Sequence, residues 1–591
     1  MIHPAPADIP EVLHRTPLSA SPIGYSRVRI WSLKLHHVWR AANISNRGAQ
    51  YSVERLLALD EYTRNTSLSR VVFVILGSFL PAEILIICQE AVPLQDPALG
   101  WRANYGFWVR LPIVIAAVLH TVLVQGRYFL KSFVISRRQL ILLISMSVTG
   151  QMLVAMIFAA NLWFPIPFIV ITLVPGFYIL STGSTCLVAG MPIIRKVLKN
   201  KERLARFGCF IAAQQLMALV YPAYQVLFHA THDTRYGLLV ILLLPIIKIV
   251  MKNIALRCVA HMEDMMPEAV IFTVDFFNAL YMATCMKSTT STSTVVIIVL
   301  VDIAQSATVL FGLSRRTASF LRRVNEASAA LGMADNLLEA ATQLCRSADT
   351  FGEQNCQRIR LCIRIQSCIS HCVSADVREL LQRLQMTART GSHHVNRHRS
   401  APVNRIELIQ WRRIHKVATW TQHHDRNIIF PAQIINPRGS DKPDYSPKQR
   451  DCTVTHPHIL REALEVLFTT ECLLLSAFLD AFVPLFYGIF MVVMIHLQSA
   501  EYHFELVGVT TETIGDVVDS IFVFSIVELI SFGLLVAVIY RNLRINALYH
   551  LAFVLETQSE LIQSKLLAWV TMTLAFRVVH FGTPAFFCFV C

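Results

Sequence analysis

Seven ionisable residues fall inside stretches otherwise built from apolar side chains: Glu83, Asp275, Asp302, Asp480 and Glu528 as acids, Lys248 and Arg577 as bases. Apolar surroundings penalise a bare charge, so each of these groups has to be paired, hydrogen-bonded or wetted. Polar neighbours recur at helical spacing: Asp302 with Gln305 and Ser306, Glu528 with Ser525 and Ser531, Asp275 with Asn278, and Ser476 with Asp480. Steps of three and four place each set on one helix face. Two chemistries fit this pattern. Desolvated acids that repel one another hold protons more tightly, and along a hydrated path they carry protons or cations. The same groups can instead pair across helices and fasten a bundle together. Asp302, Asp480 and Glu528 are the leading path candidates, because all three fall near mid-depth in C-terminal stretches. If Lys248 or Arg577 neutralises one of them, two acids still lack a cation.

Other chemistry finds little support. The chain has no GxxxxGK[ST], GxSxG, HExxH or kinase signature, so nucleotide-driven pumping and the commoner hydrolase mechanisms lack their residues. No enzymatic activity and no cofactor are expected. Cys356, Cys362, Cys368 and Cys372 with His371, and the His393, His394, His398, His423 and His424 groups, invite a zinc reading. The cysteines stand six, six and four apart, unlike the short paired spacing of structural zinc ligands, so no metal is expected either.

The elements that carry these residues follow from composition. Of 591 residues 54% are apolar and only 16% charged, which excludes a soluble globular or disordered chain and points to a polytopic membrane protein. Apolar runs at 71–92, 105–126, 139–160, 164–187, 208–228, 236–256, 269–287, 294–314, 472–496, 518–540 and 564–583 are each long enough to cross about 30 Å of hydrocarbon as a helix. The expected fold is therefore an all-α membrane bundle of about 11 transmembrane helices, in contact with the lipid bilayer. Prolines stand inside six of the spans, at Pro81, Pro112, Pro175, Pro222, Pro245 and Pro484, and are expected to kink them.

Loop charge orients the bundle. Arg127, Lys131, Arg137 and Arg138, then Arg195 to Arg206, then Lys252 and Arg257, then the large basic loop, then Arg541 and Arg544 follow even-numbered spans, whereas the 497–517 loop has Glu501, Glu505, Glu512 and Asp516 with no Lys or Arg. By the positive-inside rule the N-terminus is cytoplasmic and the C-terminus is not. Arg110, near the outer end of its span, is expected to snorkel to the headgroups. Residues 1–70 form a basic cytoplasmic tail, 71–314 spans one to eight, 315–389 a cytoplasmic helical hairpin read from 316–346 and 355–387, 390–471 a flexible His- and Pro-rich linker, and 472–591 spans nine to eleven. Between 315 and 465 there are 23 Lys and Arg against 14 acids. In a hydrophobic chain this excess fits cytoplasmic protein partners or anionic lipid, with Trp411, Arg412, Arg413 and Lys416 as a headgroup patch, rather than nucleic acid.

Several phrases have a distinct character: SLSRVV at 67–72, VPLQDPALGWRANYGFWVR at 92–110, FFNALYMATCM at 276–286 with Asp302 beyond it, ELISFG at 528–533, and ALYHLAFVLETQSELIQSKLLAWVTMTLAFRVVHFG at 547–582. Together they resemble a large paralogous family of uncharacterised multi-pass membrane proteins from oomycetes, over nearly all of the membrane portion. The ending TPAFFCFVC departs from the family's aromatic and basic ending. The resemblance implies a eukaryotic membrane location and brings no activity or site residues with it. Two functions stay open: a solute or ion transporter or channel using the intramembrane carboxylates, and a non-transporting receptor or scaffold whose cytoplasmic loop binds partners.

Overall fold

The computed structural model describes residues 49–130, 132–166, 169–231, 237–288, 336–346, 363–369, 371–395, 456–506, 508–575 and 577–581, with scattered positions of 303–317. Among the described residues the chain is helical without a β-strand, apart from one antiparallel bridge between His503 and Val578. The expected all-α membrane bundle is the architecture observed.

In chain order the helices are α1 (Val53–Asn65), α2 (Leu68–Gly77), α3 (Leu80–Glu90), α4 (Tyr105–Phe129), α5 (Arg137–Asn161), α6 (Ile169–Ala189), α7 (Met191–Lys199) and α8 (Lys201–Thr231). There follow α9 (Gly237–Val259), α10 (Met266–Ser288), α11 (Leu337–Arg346), α12 (Ala375–Val395), α13 (His456–Met494), α14 (Ile514–Leu543), α15 (Ala547–Thr557) and α16 (Ser559–Ala575). Eight segments among the described residues are long and apolar enough to cross a membrane, namely α2 with α3, α4, α5, α6, α8, α10, α13 and α14. Helices α9 and α16 occupy two further expected spans, and the span expected at 294–314 lies mostly outside the described residues. Among the described residues, short connections reverse the chain between consecutive crossings from α3 to α10 and from α13 to α14. One end of the bundle thus gathers α1, α7, α15 and the basic turns near 130–138 and 190–206, and the other gathers 91–104, 495–513 and 577–581. We term these the basic end and the acidic end.

Local chemistry sets the boundaries. Ser52 and Ser67 cap α1 and α2, Ser136 and Gln139 form a reciprocal capping box on α5, and Asn546 caps α15. Pro81 does more than kink its span: the helix breaks at Ser78 and restarts with the proline in its first turn. Gln563 Nε2 on α16 donates to the Ser78 carbonyl at 2.8 Å and satisfies a group the break leaves open. Pro112, Pro175, Pro222, Pro245 and Pro484 lie within continuous helices.

Helix α10 is the centre of the molecule. Its Phe272, Phe276 and Phe277 are fully buried, and it packs against α8, α9, α13, α14 and α16. Two segments differ from the sequence reading. Residues 363–369 and 371–374, inside a stretch read as helical, are irregular. The reason is a docking role: the Arg364 and Ile365 carbonyls accept the Val53 and Glu54 amides that open α1, at 2.9 and 3.0 Å. Helix α13 begins at His456, inside the stretch read as linker, and buries Leu460, Leu464, Leu467 and Phe468 before the expected span starts.

Candidate functional site

At mid-depth two lysines meet two aspartates. Lys252 Nζ lies 2.8 Å from Asp275 Oδ1, Lys248 Nζ lies 3.7 Å from the same oxygen, and Lys248 reaches Asp480 Oδ1 at 3.4 Å. Ser476 Oγ donates to Asp275 Oδ2 at 2.6 Å. The lysines come from one face of α9 at a spacing of four, Asp275 from α10, and Ser476 and Asp480 from one face of α13, again four apart. The tetrad is charge-balanced. Asp275 is fully buried, while Lys248, Lys252 and Asp480 keep 18%, 17% and 23% of their side chains exposed, so the tetrad is closed at Asp275 and partly open at its other three members. Pro245, three residues before Lys248, and Pro484, four residues after Asp480, both lie toward the acidic end from that pair and remove the helical hydrogen bonds to the carbonyls of Ile241 and Asp480.

Four further buried ion pairs lie toward the two ends. At the acidic end Arg110 is wholly buried, pairs with Glu90, and donates to the carbonyls of Glu90 (2.9 Å) and Val92 and to Ser499 Oγ (2.7 Å). His503 Nε2 adds a contact of 3.1 Å to Glu90. Beside this cluster Arg577 Nη1 donates to Glu505 Oε1 at 2.5 Å and to Tyr487 at 3.1 Å, its Nη2 donates to Thr284 at 3.0 Å, and the guanidinium stacks on Tyr487 and Tyr281. Nearer the basic end Lys565 Nζ of α16 lies 2.7 Å from Glu268 of α10, both buried. At the basic end itself Arg55 donates to both Glu471 oxygens at 2.8 and 2.9 Å. Tyr51 bridges Glu471 and His550 Nε2, the latter at 2.6 Å. Burial lowers the Arg55 guanidinium from its ordinary value against the pull of Asp264, and burial with Arg55 alongside pushes His550 down to about 3.

The structure therefore brings Asp275, Asp480 and Lys248 together and places Arg577 apart, nearer the acidic end. Glu528 is buried on α14 and Glu83 half-buried on α3, neither in the tetrad; Asp302 lies outside the described residues. Arg110 does not snorkel. The hook formed by 91–104 folds its carbonyls back over the guanidinium and Glu90 neutralises it, so headgroups are not needed. Glu505, read as part of an acidic outer loop, turns inward onto Arg577. Sequence reasoning also missed Lys252, Lys565, Glu268 and Glu471. Lys565 stood inside an expected span, and Glu268 and Glu471 each sat one residue before one. Charge within one or two residues of a span's start was thus the available signal for these three, whereas Lys252 lay near the far end of its span.

A separate cavity of about 620 Å³ lies between α4, α6, α7 and α8. Its walls are apolar, with Leu123, Phe133, Phe177, Ile194, Phe207 and Ile211 among them, and only Ser181, Thr182, Thr185, Cys186, Tyr178 and Gln215 supply polar atoms. A smaller space of about 90 Å³ adjoins it and shares Val174, Phe177, Tyr178 and Gln215. None of the tetrad residues lines either space. Among the described residues no three His, Cys, Asp or Glu side chains converge as a metal site. No protein-family model, curated protein or solved structure matches the chain.

Proposed function

We propose that this multi-pass membrane protein is a non-conducting receptor or scaffold of the oomycete family it resembles, oriented with its basic end in the cytosol. Its intramembrane carboxylates act as fasteners, and the 315–465 stretch contacts cytoplasmic partners. The observation that carries this reading is the tetrad of Lys248, Lys252, Asp275 and Asp480: two charges of each sign within ion-pair distance of one another, with the cavity of about 620 Å³ elsewhere and free of them. A conduit needs acids that face a wet path. A fastener needs acids that face cations, as these do, and removal of one partner from such a buried pair typically costs about 3–5 kcal/mol.

Transport through the tetrad is the second reading. It is favoured by the partial exposure of Lys248, Lys252 and Asp480, with Pro245 and Pro484 one turn away toward the acidic end. One experiment separates the two. The full chain is reconstituted into vesicles containing a pH-sensitive dye, and proton, sodium and potassium gradients of both signs are applied to wild type and Asp480→Asn. The fastener reading expects flux equal to protein-free vesicles in both, with a lower melting temperature for Asp480→Asn in detergent. Gradient-driven flux in the wild type, lost in a variant that melts normally, overturns it and establishes transport.

A further inference from the structure

The cleft between α4, α6 and α8 has a depth and an apolar lining, and α7, which borders its mouth, carries exposed cations on its other face; together these specify an occupant. Its walls run from Leu119 to Leu130 on α4, from Val174 to Cys186 on α6 and from Leu204 to Gln215 on α8. At 1.5 Å per residue each wall is about 17 Å long, close to half of a hydrocarbon core of about 30 Å. The cleft is therefore about one leaflet deep, and its α4 and α8 walls are the basic-end halves of those helices. Its volume lies within the range of pockets that bury small amphiphiles.

Helix α7 closes that end. Gly190, at φ +80°, supplies the left-handed turn that separates α7 from α6, and Pro192 starts the new helix. Ile194, Val197 and Leu198, at spacings of three and four, face the cleft. Arg195, Lys196 and Lys199 are exposed on the rest of the helix. Between 195 and 206 there are six basic residues and one acid, Glu202, which is already paired with Arg206. An amphipathic helix with this division lies along the interface, with its cations at headgroup level.

We propose that the cleft binds one anionic phospholipid from the leaflet at the basic end, its acyl chains between α4, α6 and α8 and its phosphate at Lys196 and Lys199. This rests on the membrane placement of the bundle and is independent of whether the tetrad conducts. A zwitterionic lipid fits the walls equally but leaves the mouth's charge unmatched. A free phosphate matches the mouth but not the walls.

Gly208 offers a direct test, because it lines the cleft and a Cβ built there meets nothing within 4 Å. Gly208→Phe places a bulky side chain at the cleft wall, where a Cβ has open space. The full-length protein is purified in detergent, incubated with phosphatidylglycerol or with phosphatidylcholine of identical chains, and examined by native mass spectrometry. Wild type is expected to retain phosphatidylglycerol at about tenfold lower lipid concentration than phosphatidylcholine, the order expected for two nearby lysines. Gly208→Phe should lose adducts of both lipids. Lys196→Glu with Lys199→Glu, changes confined to exposed side chains, should keep binding and lose the preference. Equal retention of the two lipids by wild type, or undiminished adducts in a Gly208→Phe protein that melts normally, overturns the proposal. If Gly208→Phe does not fold, the lysine pair decides alone, and an unchanged preference overturns it.

Discussion

His550 Nε2 contacts the Tyr51 hydroxyl, which is itself turned toward Glu471, so the ring's protonated nitrogen is the one that faces the tyrosine. The imidazole is wholly buried beside Arg55, and both facts favour its neutral form, with a pKa of about 3 against an ordinary value near 6.5. His371 lies nearby and is pushed to about 4, chiefly by burial and secondarily by Arg55, with Asp264 opposing. The sign of the linkage is fixed by these depressions. Both side chains stay neutral in the fold while the unfolded chain takes up protons below about 6.5, so stability is full above that pH and falls progressively toward pH 3–4. At pH 5 the His550 contribution alone amounts to about 2 kcal/mol. The melting temperature of the detergent-solubilised protein should therefore drop between pH 7 and pH 5, and His550→Gln should remove part of that drop while lowering stability at pH 7. A pH profile identical in the variant and the wild type would show that His550 titrates as it does in the unfolded chain.

Among the elements, the hook at 91–104 bears most on the bundle's acidic end. Asn104 donates to the carbonyls of Asp96 and Gly100 at 3.1 and 2.9 Å and meets His580 through its own oxygen at 2.9 Å. Gln95 accepts the Gly106 amide at 3.0 Å, and at the start of the hook the Val92 carbonyl, with that of Glu90 just before it, accepts from Arg110. The hook closes only because residue 106 has no side chain: a Cβ there would stand 2.0 Å from the Pro93 oxygen. Gly106→Ala should destabilise the protein by about 1–3 kcal/mol, as overpacking does, and loosen the Arg110 cage. Gly183→Ala on α6, where a Cβ meets nothing within 4 Å, serves as the contrast and should stabilise by about 0.5–1 kcal/mol through helix propensity. Thermal melts of the two variants in one detergent compare them; Gly106→Ala melting at or above the wild-type temperature would show that the hook is not closed by that glycine.

At the scale of the whole molecule, the spans were legible because about 20 consecutive apolar residues leave few alternatives in lipid. The ion pairs were legible only by half. Asp275, Asp480 and Lys248 announce themselves as charges in apolar runs, but their pairing depends on how helices 200 residues apart are turned and staggered, which periodicity alone does not encode. The Arg55–Glu471 pair was invisible for a related reason: residues 49–65 are polar, and only the packed bundle supplies their burial. Packing is also where the molecule divides. In α10 94% of the span is buried, against 22% in α5 and 17% in α6, and the five buried clusters described above lie among α1, α3, α4, α9, α10, α13, α16 and the loops joined to them. Helices α5, α6 and α7 contribute to none of these pairs, and α6 and α7 border the cleft. Local opening follows buried contact, so the ion-paired core should exchange its amide hydrogens last and α6 with α7 well before it. Hydrogen exchange read by mass spectrometry on the detergent-solubilised chain should place α6 at least about tenfold faster than α10. Added phosphatidylglycerol should slow α6 and α7 while leaving α10 and α13 unchanged. Uniform protection across α6 and α10 would mean that the bundle opens as one body and that the cleft has no flexible wall.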